Sequence, residues 1–212
     1  MKERPILFSG PMVRAILEGR KTQTRRIVKL PDGINHSELT LTRMQDGYPE
    51  GSRPVFGDDE EPNFFSVRNP YGQPGDRLWV RETWAPHADL VRAAIYRVDP
   101  GGDYQDNVTQ NFRWRPSIHM PRWASRITLE VTGVRVERLQ DIRAHDAIAE
   151  GVEISDLAKL HALALRKQGR NISAAVVEYG ILWESINGPG SWDVNPWVWV
   201  VEFKRVQKGG AS

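Results

Sequence analysis

The chain has 212 residues, 40% of them apolar and 26% charged, with a net charge of +2, enough for a real core in one domain with insertions or at most two small ones. It contains no cysteine, which excludes disulfides, thiolate metal sites and a cysteine nucleophile. Arginine carries most of the positive charge, 22 residues against 7 lysines. That bias suits an anionic or nucleobase ligand, because guanidinium forks onto phosphate and stacks on aromatic rings, although genome composition alone also produces it.

"MKERPILFSG" holds too short an apolar run for a signal peptide, and no segment approaches the roughly 20 apolar residues that span a bilayer, so a cytoplasmic location is expected. "PILF" (Pro5 to Phe8) reads as a short strand. Ser9 then caps a helix with Pro11 in its first turn, Met12, Ala15 and Ile16 on one stripe, and Gly19 as its stop. The next residues, "RKTQTRR", place Arg20, Lys21, Arg25 and Arg26 in a basic loop at the negative end of that helix dipole.

Residues 32 to about 74 are rich in Gly, Pro and acidic side chains and have no sustained period. They read as an excursion partly ordered by Phe56, Phe64 and Phe65. A Pro-Gly-Asp turn restarts regular structure, with a strand from Arg77 to about Thr83 in which Leu78 and Val80 alternate. "AAIYRV" is a further strand, and "ASRITLEVTGVRVERL" a long one with a bulge or turn at Gly133. Two or three helices are predicted next, from one candidate between Asp141 and Gly151, one between Ser155 and Gly169, and one between Ser173 and Gly188 with Val176, Val177, Ile181 and Leu182 on its apolar face. "PWVWVVEFKR" closes as a buried strand. The order implies an α+β chain around a mainly antiparallel, barrel-like sheet in which the first and last strands pair.

Lys21 and Thr24 are three residues apart, so a lysine amine can accept the proton of a threonine hydroxyl, which is a poor nucleophile without such a base. The lysine serves only if burial or neighbouring cations lower its pKa. A solvated basic loop explains the same residues equally simply. Two carboxylates compete as partners. Glu150 stands at a helix C-terminus, where the dipole raises its pKa, and Glu82 in "WVRETW" also reads as half of a cross-strand ion pair. The five histidines have no metal-ligand spacing, and neither metal nor cofactor is expected. "FRWRPSIHMPRWASR" interleaves Trp114 and Trp123 with Arg113, Arg115, Arg122 and Arg126. That pattern fits single-stranded nucleic acid, or tryptophans plugging a barrel with arginines on its rim.

The strings "ILEGRKTQTRR", "GDRLWV", "DAIAEGV" and "VWVVEFKRV", in that order, resemble the ASCH family of PUA-like β-barrels. Its Gly-x-Lys-x-x-Thr-x-Arg motif is met by Gly19, Lys21, Thr24 and Arg26. The length is similar to that of the phage and prophage branch, and the resemblance implies one domain over residues 1–212 with insertions at about 30–74 and 100–123. A small bacterial member removes the acetyl group from N4-acetylcytidine. The resemblance implies a catalytic trio of Lys21, Thr24 and Glu150, with Arg26, Glu82 and Trp84 at the substrate. Thr24 would attack the amide carbonyl, Lys21 would activate it, and Glu150 would handle the leaving-group proton. The alternative is a module that binds RNA or a modified base without breaking a bond, with Arg25, Arg122 and Trp123 at the nucleic acid. Either way the expected partner is a small modified cytidine or nucleobase, or RNA, and not a membrane.

Overall fold

Residues 1–45, 53–57, 65–87, 90–97 and 113–206 are described by the computed structural model of the protein. β1 (Glu3–Leu7) runs parallel to β6 (Arg77–Arg81) at one edge of a five-stranded sheet. The sheet continues antiparallel through β9 (Thr128–Arg138) and β10 (Trp197–Arg205) to β2 (Gln23–Ile27) at the other edge. The α+β class and the mainly antiparallel pairing agree with the sequence reading. The first and last strands do not pair with each other: β1 takes its hydrogen bonds from β6, and β10 is already flanked by β9 and β2.

A closed barrel is also not formed among the described residues, since no backbone ladder joins the two edges. The edges nevertheless meet through a side chain, because Nη2 of Arg26 on β2 donates to the carbonyl of Leu7 on β1 at 2.7 Å. Such a contact requires the sheet to curl. α1 (Gly10–Leu17) carries the chain from one edge to the other. Its Met12, Val13 and Ile16 join Ile6, Leu78, Leu129, Trp199 and Val201 in the core inside that curl. Ser9 occupies the cap position without a side-chain bond, Pro11 sits in the first turn, and Gly19 follows at φ 77°.

Side chains alternate along a strand, so β10 serves two cores. Trp199, Val201 and Phe203 enter the inner one. Val198 and Val200 face outward against α2 (Ala144–Ala149) and α4 (Ala174–Asn187), in a second core with Leu139, Ala147, Tyr179 and Trp183. α3 (Asp156–Lys167) packs on α4 and is capped by Ser155, which accepts from the Ala158 N–H.

Several local expectations shift. The basic stretch is not a loop from Gln23 onward but the edge strand β2, its backbone paired with β10. Asp141 ends a short 3₁₀ turn instead of capping α2, whose first turn is held by Asp146 accepting from the Arg143 N–H at 3.3 Å. On α4, Val177 is buried and Val176 and Leu182 pack half-buried against the cores as expected, Ile181 is exposed, and Ala175, Tyr179 and Trp183 complete the buried face. Gly133 does mark an irregularity, since the β9–β10 register shifts opposite it.

The excursion builds a small antiparallel sheet of β3 (Thr40–Gln45), β4 (Arg53–Gly57) and β5 (Phe65–Ser66), whose Phe56 and Phe65 pack with Leu39 against the inner core. Phe64 lies outside the described residues. β7 (Trp84–Pro86) and β8 (Ala94–Tyr96) form a hairpin that Arg115 extends by a bridge to Trp84. The described residues contain no helix long and apolar enough to cross a membrane.

Candidate active site

Two helix ends converge on Lys21. At the end of α1 the backbone N–H groups of Arg20 and Lys21 both donate to the Ala15 carbonyl, at 2.9 and 3.0 Å. At the end of α2, Ala149 accepts from the Thr22 N–H at 2.8 Å, which fastens the start of β2 to that helix. Glu150 is the last residue of the turn, and Gly151 follows at φ 85°. A Cβ on Gly151 would stand 2.9 Å from both the Ala15 and Lys21 Cβ atoms, so only glycine lets the two helix ends approach this closely.

The side chains complete the junction. Lys21 Nζ donates to the Glu150 carbonyl at 2.8 Å and to its Oε2 at 2.7 Å, across 129 positions of sequence. Arg25 Nη1 donates to the other carboxylate oxygen at 3.2 Å. The Lys21 and Arg25 side chains are 0% exposed and that of Glu150 2%, so bulk solvent does little to screen these charges. A buried ion is tolerable only when paired and hydrogen-bonded. Arg25 is paired further, with Glu137 and with Asp146 at 3.7 Å. Arg135 in turn binds Glu137, Asp146 and Glu202. Charge therefore runs in an unbroken chain from the sheet surface to the lysine.

Burial pushes the Lys21 ammonium below its ordinary range. Glu150 opposes that shift, while Arg26 and Arg25 add to it. Burial likewise raises the Tyr179 and Tyr71 phenols, so both stay protonated. Lys21 and Arg26 both stand over the Phe8 ring, at 5.7 and 5.2 Å. Thr24 is on the same face of β2 as Arg26 by strand alternation. It is 1% exposed, and its hydroxyl has no hydrogen-bond partner among the described residues.

Beside this cluster lies a cavity of about 380 Å³ lined by Arg25, Arg26 and Glu150 on one side and by Met12, Tyr71, Tyr179 and Trp183 on the other. A second, of about 470 Å³, shares Met12, Glu150, Leu182 and Ile186 with it and extends toward Pro11 and Val152. Apolar and aromatic walls with a few converging polar groups are the usual make-up of a small-molecule site.

The structure thus joins Lys21 to Glu150 and brings Glu150 and Arg26 to one cavity, while Thr24 lines neither cavity and lies on the strand face of Arg26, opposite to that of Arg25. Lys21 gives its hydrogen bonds to Glu150 and none to Thr24. Glu82 and Trp84 are elsewhere. Glu82 is buried in a two-bond pair with Arg126, both bonds 2.9 Å, and Trp84 packs with Met120 and Ala124 in a third small core. Neither lines the cavity that Glu150 shares with Arg26. Arg25 is enclosed by carboxylates and has no surface to offer a phosphate. Arg122 and Trp123 are exposed on a different face. Sequence reasoning missed Asp146, Glu137 and Tyr179. Asp146 was within reach, since its four-residue spacing from Glu150 puts both on one face of α2. Tyr179 had no such signal. No family model matches the chain, and no curated protein or solved structure matches it either.

Proposed function

We propose that the chain is an ASCH-like amidohydrolase that removes the acyl group from an N4-acylated cytosine nucleoside, on a PUA-like sheet that curls without closing. The observation that carries this reading is the buried Lys21–Glu150 pair beside the cavity, with the unpartnered Thr24 hydroxyl on the adjoining strand. A lysine whose ammonium is destabilised by burial is a better proton acceptor than an exposed one. In this reading Lys21 Nζ takes the Thr24 proton as Oγ1 attacks the acyl carbonyl. Arg26 balances charge on the carbonyl oxygen of the tetrahedral intermediate. Collapse breaks the C–N bond, and the cytosine amine leaves with a proton delivered by way of Glu150. Water then hydrolyses the threonine ester, releasing the carboxylate and restoring the hydroxyl. Tyr71, Tyr179 and Trp183 supply walls against which a pyrimidine can pack.

The test is incubation with N4-acetylcytidine and chromatographic detection of cytidine. Thr24→Ala is expected to lose turnover by several powers of ten while still binding the nucleoside, and Thr24→Ser to keep part of the rate. Lys21→Ala is expected to cost a similar factor without adding to the first, because the two act as a unit. Wild-type protein that leaves N4-acylcytidines intact would overturn the proposal and favour a binding module.

A further inference from the structure

The helix α3 carries more apolar surface than its packing uses. Its covered side is Ala158, which is buried, with Ala162 and Leu165 half-buried beside it. Leu157, Leu160 and Leu163 are 67%, 66% and 52% exposed and join none of the three cores. A lone exposed leucine is ordinary, but three within two turns make a patch that water disfavours. Helix propensity does not demand them, since alanine forms helix better and already fills positions 158, 162 and 164.

The spacing gives this patch a form. Asp156, Leu160, Leu163 and Lys167 follow one another at four, three and four residues, which sets them in one row along the helix. At roughly 100° per residue the row spans about 60° and lies opposite Ala158 and Leu165, so it points away from the protein. Such a row is the seam by which two helices pack in a coiled coil. It is also complementary to itself when a second copy lies antiparallel. With a two-fold axis at the level of His161 and Ala162, Leu160 faces Leu163 of the second copy, and Asp156 faces its Lys167. A parallel pairing would set acid on acid and ammonium on ammonium. The Asp156 side chain is 91% exposed and holds Lys159 through Oδ1 alone, at 2.8 Å, so its other oxygen is open to that partner. Leu157 and Ala164 make one flank of the row apolar as well. Lys159 and Arg166, on the other flank, stand exposed at its rim, where water and salt screen their charge. Opposed helix dipoles favour the same antiparallel arrangement.

We infer that α3 pairs two copies of this chain, antiparallel, through Leu160 and Leu163. The pairing is independent of the proposed reaction and stands if that reaction fails. A seam about 18 Å long buries less than the roughly 800 Å² per partner of a standard interface, so the dimer is expected to be weak and in exchange with monomer. Sedimentation equilibrium of the full chain from about 5 to about 500 µM covers the range of such a contact. The mass is expected to rise from 24.2 kDa toward twice that value. Leu160→Glu with Leu163→Glu is expected to stay monomeric throughout, with circular dichroism and Tm unchanged because both residues are exposed. Ile118→Glu, at an exposed apolar residue outside α3, is expected to associate as wild type does. Orientation is read by oxidation, since the chain has no cysteine of its own. Asp156→Cys and Lys167→Cys are each expected to resist cross-linking alone. Equivalent positions lie about 16 Å apart along an antiparallel pair, and a disulfide needs Cα atoms within about 7 Å. Mixed together, the two variants are expected to cross-link. Protein that is monomeric at the highest concentration, association that survives the two glutamates, or either cysteine variant cross-linking with itself would each overturn the inference. Monomeric protein that instead binds phosphatidylserine vesicles through the same leucines would assign the face to a membrane and so overturn it too.

Discussion

In the proposed reaction Lys21 is the residue on which the chemistry turns, and its surroundings set how that activity would vary with pH. Burial lowers its pKa most, Glu150 raises it, and Arg26 and Arg25 lower it again. The amine must be neutral to accept the Thr24 proton, so kcat/KM is expected to rise with pH along a limb lying below the ordinary lysine value of 10.5. Neighbouring substitutions then move that limb in opposite directions. Glu150→Gln removes the charge that favours the ammonium and shifts the limb to lower pH, while the plateau drops for want of a leaving-group proton. Arg26→Met removes a cation that disfavours the ammonium and shifts the limb upward. A pH–rate series on the three proteins checks both signs. A limb that stays in place in both variants would mean that some other group titrates. The sequence marked Lys21 and Thr24 through one motif, yet could not show that the lysine amine hydrogen-bonds to a glutamate and not to the threonine. That partnership depends on where α2 ends, which no local pattern near Lys21 encodes.

At the scale of an element, the short helix α2 is the part that holds the site in place. Its stop, "EG", was legible, because a positive φ after a helix end strongly favours glycine. What could not be read is that the same glycine is also a spacer. Gly151 at φ 85° would put a Cβ 2.9 Å from Lys21 and Ala15, so Gly151→Ala carries both the left-handed strain and a clash that parts the two helix ends. A loss of about 2–3 kcal/mol is expected, roughly 4–12 °C in Tm for a chain of this size, together with a fall in kcat as Glu150 is pushed off Lys21. Gly169, the stop of α3, provides the control. Its φ is 82°, but a Cβ there meets nothing within 4 Å, so Gly169→Ala is expected to cost about 1 kcal/mol and leave turnover alone. Equal effects at both positions, by thermal melting and by rate, would contradict the spacer role. The same scale bears on α4, whose expected face of Val177, Val176 and Leu182 does meet the cores, while β10 beneath the helix adds Tyr179 and Trp183 to it and leaves Ile181 exposed.

Over the whole molecule, strand order was the least legible feature, because alternation reveals that a segment is a strand but not which neighbour it takes. β1 was expected beside β10 and lies instead beside β6, in the one parallel pairing of the main sheet. Asp76 holds that edge together. Its carboxylate accepts from the Lys2 backbone N–H at 2.7 Å, the Arg4 guanidinium at 3.0 Å and the Gln73 N–H at 3.3 Å, while its own carbonyl accepts from Val131 of β9. Burial pushes this carboxyl up, but the bonds from Lys2, Arg4 and Gln73 outweigh it and the net shift is downward from 3.8. A folded-state pKa below the unfolded one contributes stability that is complete above the unfolded value and is lost as pH falls through the folded one. Asp76→Asn is therefore expected to be less stable than wild type at pH 7, by about 1–3 kcal/mol from the weakened charge-assisted bonds. Urea titrations at falling pH are expected to show that gap unchanged down to about pH 4. Below that the gap narrows as the wild-type carboxyl takes up its proton. A gap that stayed constant through the acid range would show that Asp76 acts through shape alone, and that the β1 edge is held by its ladder and not by this charge.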